Sequence, residues 1–325
     1  MGMLVLILDG KTALTGASEG IGLCLRTLIP SLFPFFLLSI LLTSSLSGEA
    51  LPVLRPVTDA CKIPDGAQSL LAIGFLGGYP VGAQNVAVLY RSGQISGRQA
   101  ARLIACCNNA GPAFLFGILG PMFTAKSTPW ILWAVHIASA LLVSILLPGG
   151  IDTKAVQVPR RHVTVTSALE QSVKVMALVC GWVVLMRMVI AFLERWFLWL
   201  LPVSAQAAIC GILELSNGCI RLSQIEQEGL RFILAGGLLS LGGICVTLQT
   251  ASVTDGISMR LYFPGKVLQC CISVLLCCVL QPVFPAAARC EFFIPILFAG
   301  AVAFLCLMFL RYSEKSCGIP VLSGV

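Results

Sequence analysis

Charged side chains are scarce in this sequence: they make up 11% of its 325 residues, whereas 58% are hydrophobic. A soluble globular domain carries about 25% charged residues, and the mean hydropathy here is +0.95. This scarcity argues against a soluble protein and predicts that lipid is the main solvent, in which each spanning helix needs about 20 apolar residues. We therefore expect an all-α polytopic integral membrane protein, with the lipid bilayer as its first partner.

Residues that build metal sites or bind nucleic acid are also few. The chain has two histidines, and its 15 cysteines form no Cys-x-x-Cys pattern, so we predict no metal and no cofactor and treat the cysteines as small packing residues. The net charge is +7, but the longest basic run is Arg160-Arg161-His162. Cytoplasmic loops explain this excess better than nucleic acid does. No nucleophile–base pair is visible, and we expect no enzyme.

One segment imitates a soluble enzyme. Residues 10–22 read like the glycine-rich turn of short-chain dehydrogenases, and Tyr262 and Lys266 have that family's Tyr-x-x-x-Lys spacing. The turn requires a βαβ unit, but a membrane-length apolar run follows it. Pro264 also argues against a helix that would place Tyr262 and Lys266 on one face. We reject this interpretation and expect residues 1–27 to form an interfacial segment.

Apolar runs and the breaks between them divide the chain into two similar halves. Residues 28–148 and 168–284 each contain a span, an interrupted hairpin, a broken helix and a second span; residues 149–167 form a cytoplasmic linker, and residues 285–325 hold a final helix and tail. Irregular backbone at membrane depth is tolerated where it is buried in protein or lines a polar cavity, so the breaks predict re-entrant hairpins and broken helices. The strongest spans are Leu28 to Leu46, Trp130 to Leu147, Val173 to Leu193, Val267 to Val283 and Phe292 to Leu310.

The predicted repeat is inverted. If each hairpin enters and leaves on one side, a half crosses the membrane three times, and the second half has the opposite orientation. On this topology 13 Lys and Arg residues lie on one side and seven on the other. The positive-inside rule then places the linker and the C-terminal tail in the cytoplasm.

Polar residues cluster at the predicted breaks. They are candidates for contact with a small-molecule solute, although they could instead satisfy the broken backbone or hold helices together. The candidates in the first half are Gly78, Tyr79, Pro80, Gly82, Gln84, Asn85, Asn108 and Asn109. Those in the second half are Ser216, Asn217, Thr247 and Gln249.

Two ionisable residues, Glu214 and Arg187, join these candidates because a charge in apolar surroundings is costly and its default interpretation is functional. Glu214 would bind a coupling cation or a donor group of the solute, or else lie at the interface or pair with an arginine. Arg187 would bind an anion or pair with Glu214.

Three motifs carry a resemblance to a known family: Pro30-Ser-Leu-Phe-Pro-Phe35, Gly78-Tyr-Pro-Val-Gly-Ala83 and Asn108-Asn-Ala-Gly-Pro-Ala-Phe-Leu-Phe-Gly117. In combination they resemble the sporulation integral membrane proteins that carry a nucleoside-recognition or gate domain. The resemblance implies the inverted-repeat hairpin fold of concentrative nucleoside transporters and, in the sporulation branch, movement of dipicolinic acid into the developing spore. The family pattern commonly has lysine where this chain has Gln84, so Arg187 or a helix N-terminus would have to supply the positive charge.

We therefore expect a transporter of a small polar or anionic metabolite in a bacterial cell membrane. The resemblance implies dipicolinic acid as the solute and the outer forespore membrane as the location. A nucleoside transporter and a non-transporting sporulation scaffold are the alternatives. The sequence leaves open a coupling ion and a homo-oligomer.

Overall fold

The computed structural model describes residues 8–46, 54–64, 67–148 and 163–283. These residues form helices joined by short turns, with no strand among them. The protein is therefore an all-α polytopic membrane protein, as its composition predicts. The predicted span Phe292 to Leu310 and most of the predicted linker lie outside the described residues. Among the described residues, six helices are long and apolar enough to cross a membrane: Gly10–Leu42, Gly97–Met122, Thr128–Leu146, Val165–Trp196, Glu228–Val253 and Tyr262–Leu280.

The described residues of the first half form eight α-helices. The first two form one rod: α1 (Gly10–Leu23) continues through a π-helical turn (Cys24–Leu28) into α2 (Ile29–Leu46). After the short α3 (Arg55–Ala60) comes a hairpin, which we call hairpin 1, made of α4 (Gln68–Gly77) and α5 (Val81–Arg91). A break at residues 108–111, called break 1, separates α6 (Gly97–Cys107) from α7 (Pro112–Phe114), which continues through π-helical and 3-10 turns to Met122. The last helix is α8 (Thr128–Leu146).

The second half repeats this order. The long span α9 (Val165–Trp196) leads through a 3-10 turn (Leu198–Leu200) into hairpin 2, made of α10 (Val203–Leu213) and α11 (Leu215–Leu222). The next helix is divided at Gly242, called break 2, into α12 (Glu228–Leu241) and α13 (Gly243–Val253). The half ends with α14 (Tyr262–Leu280) and a 3-10 turn (Gln281–Val283).

Both halves therefore contain a span, a hairpin of short helices, a broken helix and a second span, in the order predicted from the sequence. The opposite orientation of the two halves in the membrane stays a prediction.

Glycine allows each hairpin to pack closely against the broken helix of its own half. A Cβ atom on Gly78, whose φ is +74°, would lie 3.1 Å from the backbone N of Gly111 in break 1. In the second half, a Cβ atom on Gly243, whose φ is +80°, would lie 2.7 Å from the carbonyl O of Gly211 in α10. Since a side chain fits neither the space nor the backbone conformation, these positions favour glycine. The packing keeps each hairpin beside its break.

Residues 10–27 of the predicted interfacial segment are helical, and their depth in the membrane stays a prediction. Residues Gly10–Leu42 form one helix of 33 residues, and its first part packs along α9. A Cβ atom on Gly16 would lie 2.8 Å from the Cβ atom of Ala191. The small residues that imitate a dehydrogenase turn thus allow two helices to approach closely, as small residues do in membrane proteins.

Two of the 13 basic residues assigned to the cytoplasmic side are buried instead. Arg102 is 4% exposed and Lys266 is 1% exposed. The Arg102 guanidinium donates to the carbonyl oxygens of Cys61, Lys62 and Ser144 at 2.5 to 3.0 Å. Their burial removes both residues from the charge count, and the orientation of the protein in the membrane stays a prediction.

Candidate functional site

A narrow cleft, with a cavity volume of about 50 Å³, lies between the hairpin tips of both halves, beside break 1 and α13. Hairpin 1 contributes Gly77 to Tyr79, break 1 contributes Gly111, and hairpin 2 contributes Glu214 to Ser216. Gln249 of α13 adds an amide group. The fold thus brings together polar positions that are far apart in the sequence. The apolar wall includes Leu28, Leu32, Phe36, Phe114, Val179, Val183 and Val246.

Tyr79 connects the tip of hairpin 1 to break 2. Its hydroxyl donates to the carbonyl O of Leu239 at 2.8 Å. That carbonyl belongs to the last turn of α12, which ends where Gly242 adopts a φ of +73°. Carbonyl groups in the last turn of a helix lack helical partners, so the Tyr79 hydroxyl supplies one. The two halves are therefore joined at the cleft by a direct hydrogen bond.

Glu214 caps the N-terminus of α11 inside the protein. The residue is 3% exposed. Its Oε1 accepts from the backbone N–H of Ser216 at 2.9 Å, and its Oε2 accepts from the backbone N–H and the side-chain Nδ2 of Asn217 at 2.7 and 2.6 Å. Unpaired N–H groups and the helix dipole stabilise a negative charge at this end of a helix. Glu214 therefore caps its own following helix inside the protein and, among the described residues, bonds to no arginine.

Arg187 lies outside the cleft and does not form the predicted pair with Glu214. Its guanidinium donates to Oε2 of Glu19 on α1 and to Oε2 of Glu194 on α9, the latter at 2.9 Å. Oε1 of Glu194 in turn accepts from Arg221 of α11 at 2.6 Å. The pairing differs from the prediction because α1 packs along α9 and brings Glu19 within reach. Arg187 thus joins α1 to α9, and Arg221 joins hairpin 2 to the same network.

The remaining candidates at the hairpin and on α13 have local roles. Pro80 and Gly82 are buried within hairpin 1, while Gln84 and Asn85 are partly buried on α5. The side chains of Asn85 and Thr247 donate to carbonyl oxygens four residues earlier in their own helices, at 2.9 and 3.0 Å. Of these five residues none lines the cleft.

Asn108 belongs to a second set of polar side chains, buried at break 1. Its Nδ2 donates to Thr250 Oγ1 at 2.7 Å and to the hydroxyl of Tyr262 at 3.2 Å. Its Oδ1 is buried and has no hydrogen-bond partner among the described residues. Asn108 therefore connects break 1 to α13 and α14 and retains one free acceptor.

Asn109 and Lys266 form the centre of this set. Asn109 Nδ2 donates to the carbonyl O of Cys106 at 2.6 Å, which partly closes the end of α6. Lys266 Nζ donates to Asn109 Oδ1 at 3.0 Å and to Gln269 Oε1 at 2.9 Å. The ring centroid of Tyr79, which also lines the cleft, lies 5.7 Å from the same Nζ. A buried ammonium thus lies beside the cleft, on the other side of an aromatic ring.

His136 of α8 completes the buried set. The backbone N–H of Ala110 donates to its Nε2 at 3.1 Å, and its Nδ1 lies 3.1 Å from Ser240 Oγ. Because Nε2 accepts, this pairing assigns the proton to Nδ1 of a neutral ring. Within the described ranges, no three His, Cys, Asp or Glu side chains are grouped as metal ligands.

The contribution of α14 to the buried set was not predicted from the sequence, because Pro264 lies between Tyr262 and Lys266. In the structure α14 begins at Tyr262, so Pro264 falls in the first turn, where proline is tolerated. Tyr262, Lys266 and Gln269 then follow one another at helical spacing and share a face. This spacing is the signal in the sequence from which a polar face of α14 could have been predicted.

Comparison with known proteins identifies a distant relative. The chain is 31% identical over 143 residues to the sporulation integral membrane protein YlbJ of Bacillus subtilis (strain 168). The alignment covers 42% of this chain and 34% of that protein, so the chain spans about a third of the relative it matches. No family profile and no solved structure matches the chain. The relative is an integral membrane protein, in agreement with the helical fold.

Proposed function

We propose that this protein is a membrane transporter for a small polar or anionic metabolite, and that the cleft between the hairpins holds the solute. The observation that carries this proposal is the convergence of two hairpin tips, break 1 and α13 on one cleft. Discontinuous helices that meet near the middle of the membrane are the usual setting of solute sites in secondary transporters.

The polar groups at the cleft favour transport over a scaffold. Glu214 is buried at a helix break, and Tyr79 and Gln249 add polar groups to the same wall. Polar groups at membrane depth are costly and are found where they bind a solute or ion. A scaffold would need only helix–helix contacts and gains nothing from two hairpins and two broken helices.

The nearby charges support an anionic solute. The helix N-terminus of α11 offsets the carboxylate of Glu214, whereas the Lys266 ammonium lies beside the Tyr79 ring without an acidic partner in the described part of the chain. At an effective dielectric constant of about 20, an anion roughly 10 Å from this ammonium is stabilised by about 1.7 kcal/mol.

We further propose that the solute is dipicolinic acid and that transport serves sporulation, at the outer forespore membrane. The support is the sequence resemblance, together with the name of the YlbJ relative, which associates that protein with sporulation. A nucleoside is the alternative solute.

Uptake into proteoliposomes tests the proposal, with labelled dipicolinate and uridine supplied in parallel. We expect saturable dipicolinate uptake by the wild type. Asn108→Leu should lower the rate of dipicolinate uptake about tenfold. The substitution removes the buried hydrogen bonds of the Asn108 amide, and one such bond is worth roughly 1 kcal/mol or more. Asn85→Leu is the matched control, since among the described residues the Asn85 amide bonds within α5; its uptake should stay close to that of the wild type.

The alternatives give different results in this assay. Uptake of uridine alone identifies a nucleoside transporter. Absence of uptake for both compounds by folded, correctly inserted protein contradicts transport and favours the scaffold. Equal uptake by Asn108→Leu and the wild type would show that the amide of Asn108 in break 1 has a purely structural role.

A further inference from the structure

Lys266 is a buried cation without an acidic partner within the described ranges. Its side chain is 1% exposed, and the groups that accept from its Nζ are the amide oxygens of Asn109 and Gln269. An ammonium in surroundings of low dielectric constant is costly unless other groups compensate it. The groups in contact with Lys266 Nζ therefore indicate which kind of ion this position can bind.

The groups that contact the ammonium present their negative ends to it. Gln269 Nε2 donates to Asn109 Oδ1 at 3.3 Å, which fixes the amide orientation in which Gln269 Oε1 faces Lys266. The ring centroids of Tyr79 and Tyr262 lie 5.7 and 5.8 Å from Nζ. The face of an aromatic ring is the negative part of its quadrupole and attracts cations. Two amide oxygens and two rings thus form a cage for a cation.

The cage lies at a helix end of matching polarity. Asn109 is the second residue after the C-terminal end of α6, which stops at Cys107 and is followed by the C-cap Asn108. A helix C-terminus carries a partial negative charge. In transporters with discontinuous helices, oxygens at such a break and the C-terminal ends of half-helices coordinate Na⁺. The Lys266 ammonium therefore occupies a position whose surroundings suit a small monovalent cation.

We propose that Lys266 is a built-in cation that takes the place of a coupling sodium ion at break 1. A first consequence rests on the proposed transport function: solute uptake requires no Na⁺. A second consequence is independent of that function: truncation of Lys266 to alanine leaves a vacant cage that a small monovalent cation enters.

Thermal unfolding of detergent-purified protein tests the cage without any transported solute. Wild type and Lys266→Ala are melted in sodium, ammonium and choline chloride at equal ionic strength. Lys266→Ala should melt roughly 3 °C higher in sodium or ammonium chloride than in choline chloride when the small cation is in tenfold excess over its dissociation constant. The wild type should melt at the same temperature in all three salts.

Two variants serve as controls for this melting experiment. Lys174→Ala removes an exposed lysine of the long span α9 and should show no difference among the salts. Lys266→Met fills the space of the aliphatic part of the lysine side chain. It should also show no difference in melting temperature among the salts, because an occupied cage admits no ion. Equal melting of Lys266→Ala in all three salts, or stabilisation of the wild type by sodium alone, would overturn the proposal.

Uptake by the wild type provides an independent test that does not depend on folding of the variant. The rate should be equal with sodium or choline outside the proteoliposomes. A requirement for external sodium refutes the built-in cation even if transport itself is confirmed. If the wild type moves no solute, the proposed function fails, and the melting curves alone decide whether the cage exists.

Discussion

Glu214 offers a quantitative test of the structure because its carboxylate satisfies three buried donors. Replacement by alanine removes the N-cap of α11, which costs about 1–2 kcal/mol. It also leaves buried N–H groups without a partner, at about 1–3 kcal/mol. We therefore expect a total loss of about 3 kcal/mol for Glu214→Ala. Glu214→Gln keeps one oxygen but turns an NH₂ group toward one of the donors, and should lose about 1.5–3 kcal/mol.

The order of stability is then wild type, Glu214→Asp, Glu214→Gln and Glu214→Ala, since aspartate keeps the charge and is itself a good N-cap. For a chain of this size each kcal/mol corresponds to about 2 °C in melting temperature. Glu214→Ala should therefore melt about 6 °C below the wild type. Intrinsic fluorescence during heating, with size-exclusion chromatography of heated samples, provides the measurement.

The matched control for Glu214 is Glu228, the first residue of α12. Its Oε1 accepts from the backbone N–H of Thr124 at 3.0 Å in an exposed position, so Glu228→Gln should change stability by less than about 0.5 kcal/mol. Melting of Glu214→Ala within 1 °C of the wild type, at roughly the level of the control, would show that the carboxylate does not cap α11 as described.

Two further predictions follow from the charge network and the topology. Because Arg187 bonds to Glu194, a double-mutant cycle of Arg187→Met and Glu194→Gln should show a coupling energy of at least about 0.5 kcal/mol in thermal unfolding, whereas Arg187→Met and Glu214→Gln should be additive within about 0.5 kcal/mol. The reverse pattern would restore the pair predicted from the sequence. Reporter fusions should place residues 150–166 and the chain after Arg311 on the same, cytoplasmic side; opposite sides would exclude the inverted repeat.

The elements of the fold were predictable because their signals are local. A span is predicted by the length of its apolar run, and a break by glycine, proline and amides within such a run. Four of the five strongest predicted spans lie in described helices, and the hairpins and broken helices occur in the predicted order. The contact of Gly16 with α9 was not predictable, since only the tertiary structure shows which helix packs against the small residues of 10–22.

The partners of the charged residues were not predictable in the same way. The sequence singles out Glu214 and Arg187 as costly charges, but a charge is compensated by whatever the fold places within about 4 Å of it. The partner of Glu214 is the N-terminus of α11, the helix that follows it directly. The partner of Arg187 is Glu19, 168 positions away in the sequence.

The sequence by itself thus determined the solvent, the helices and the places where they are interrupted, because hydropathy and backbone preferences act over a few neighbouring residues. The tertiary structure decided which interruptions share a cleft and which buried charges are compensated. Lys266 shows the difference most clearly. In the sequence it is one more basic residue near a helix end, and only the packing of α14 against break 1 places its ammonium between two amide oxygens and two aromatic rings.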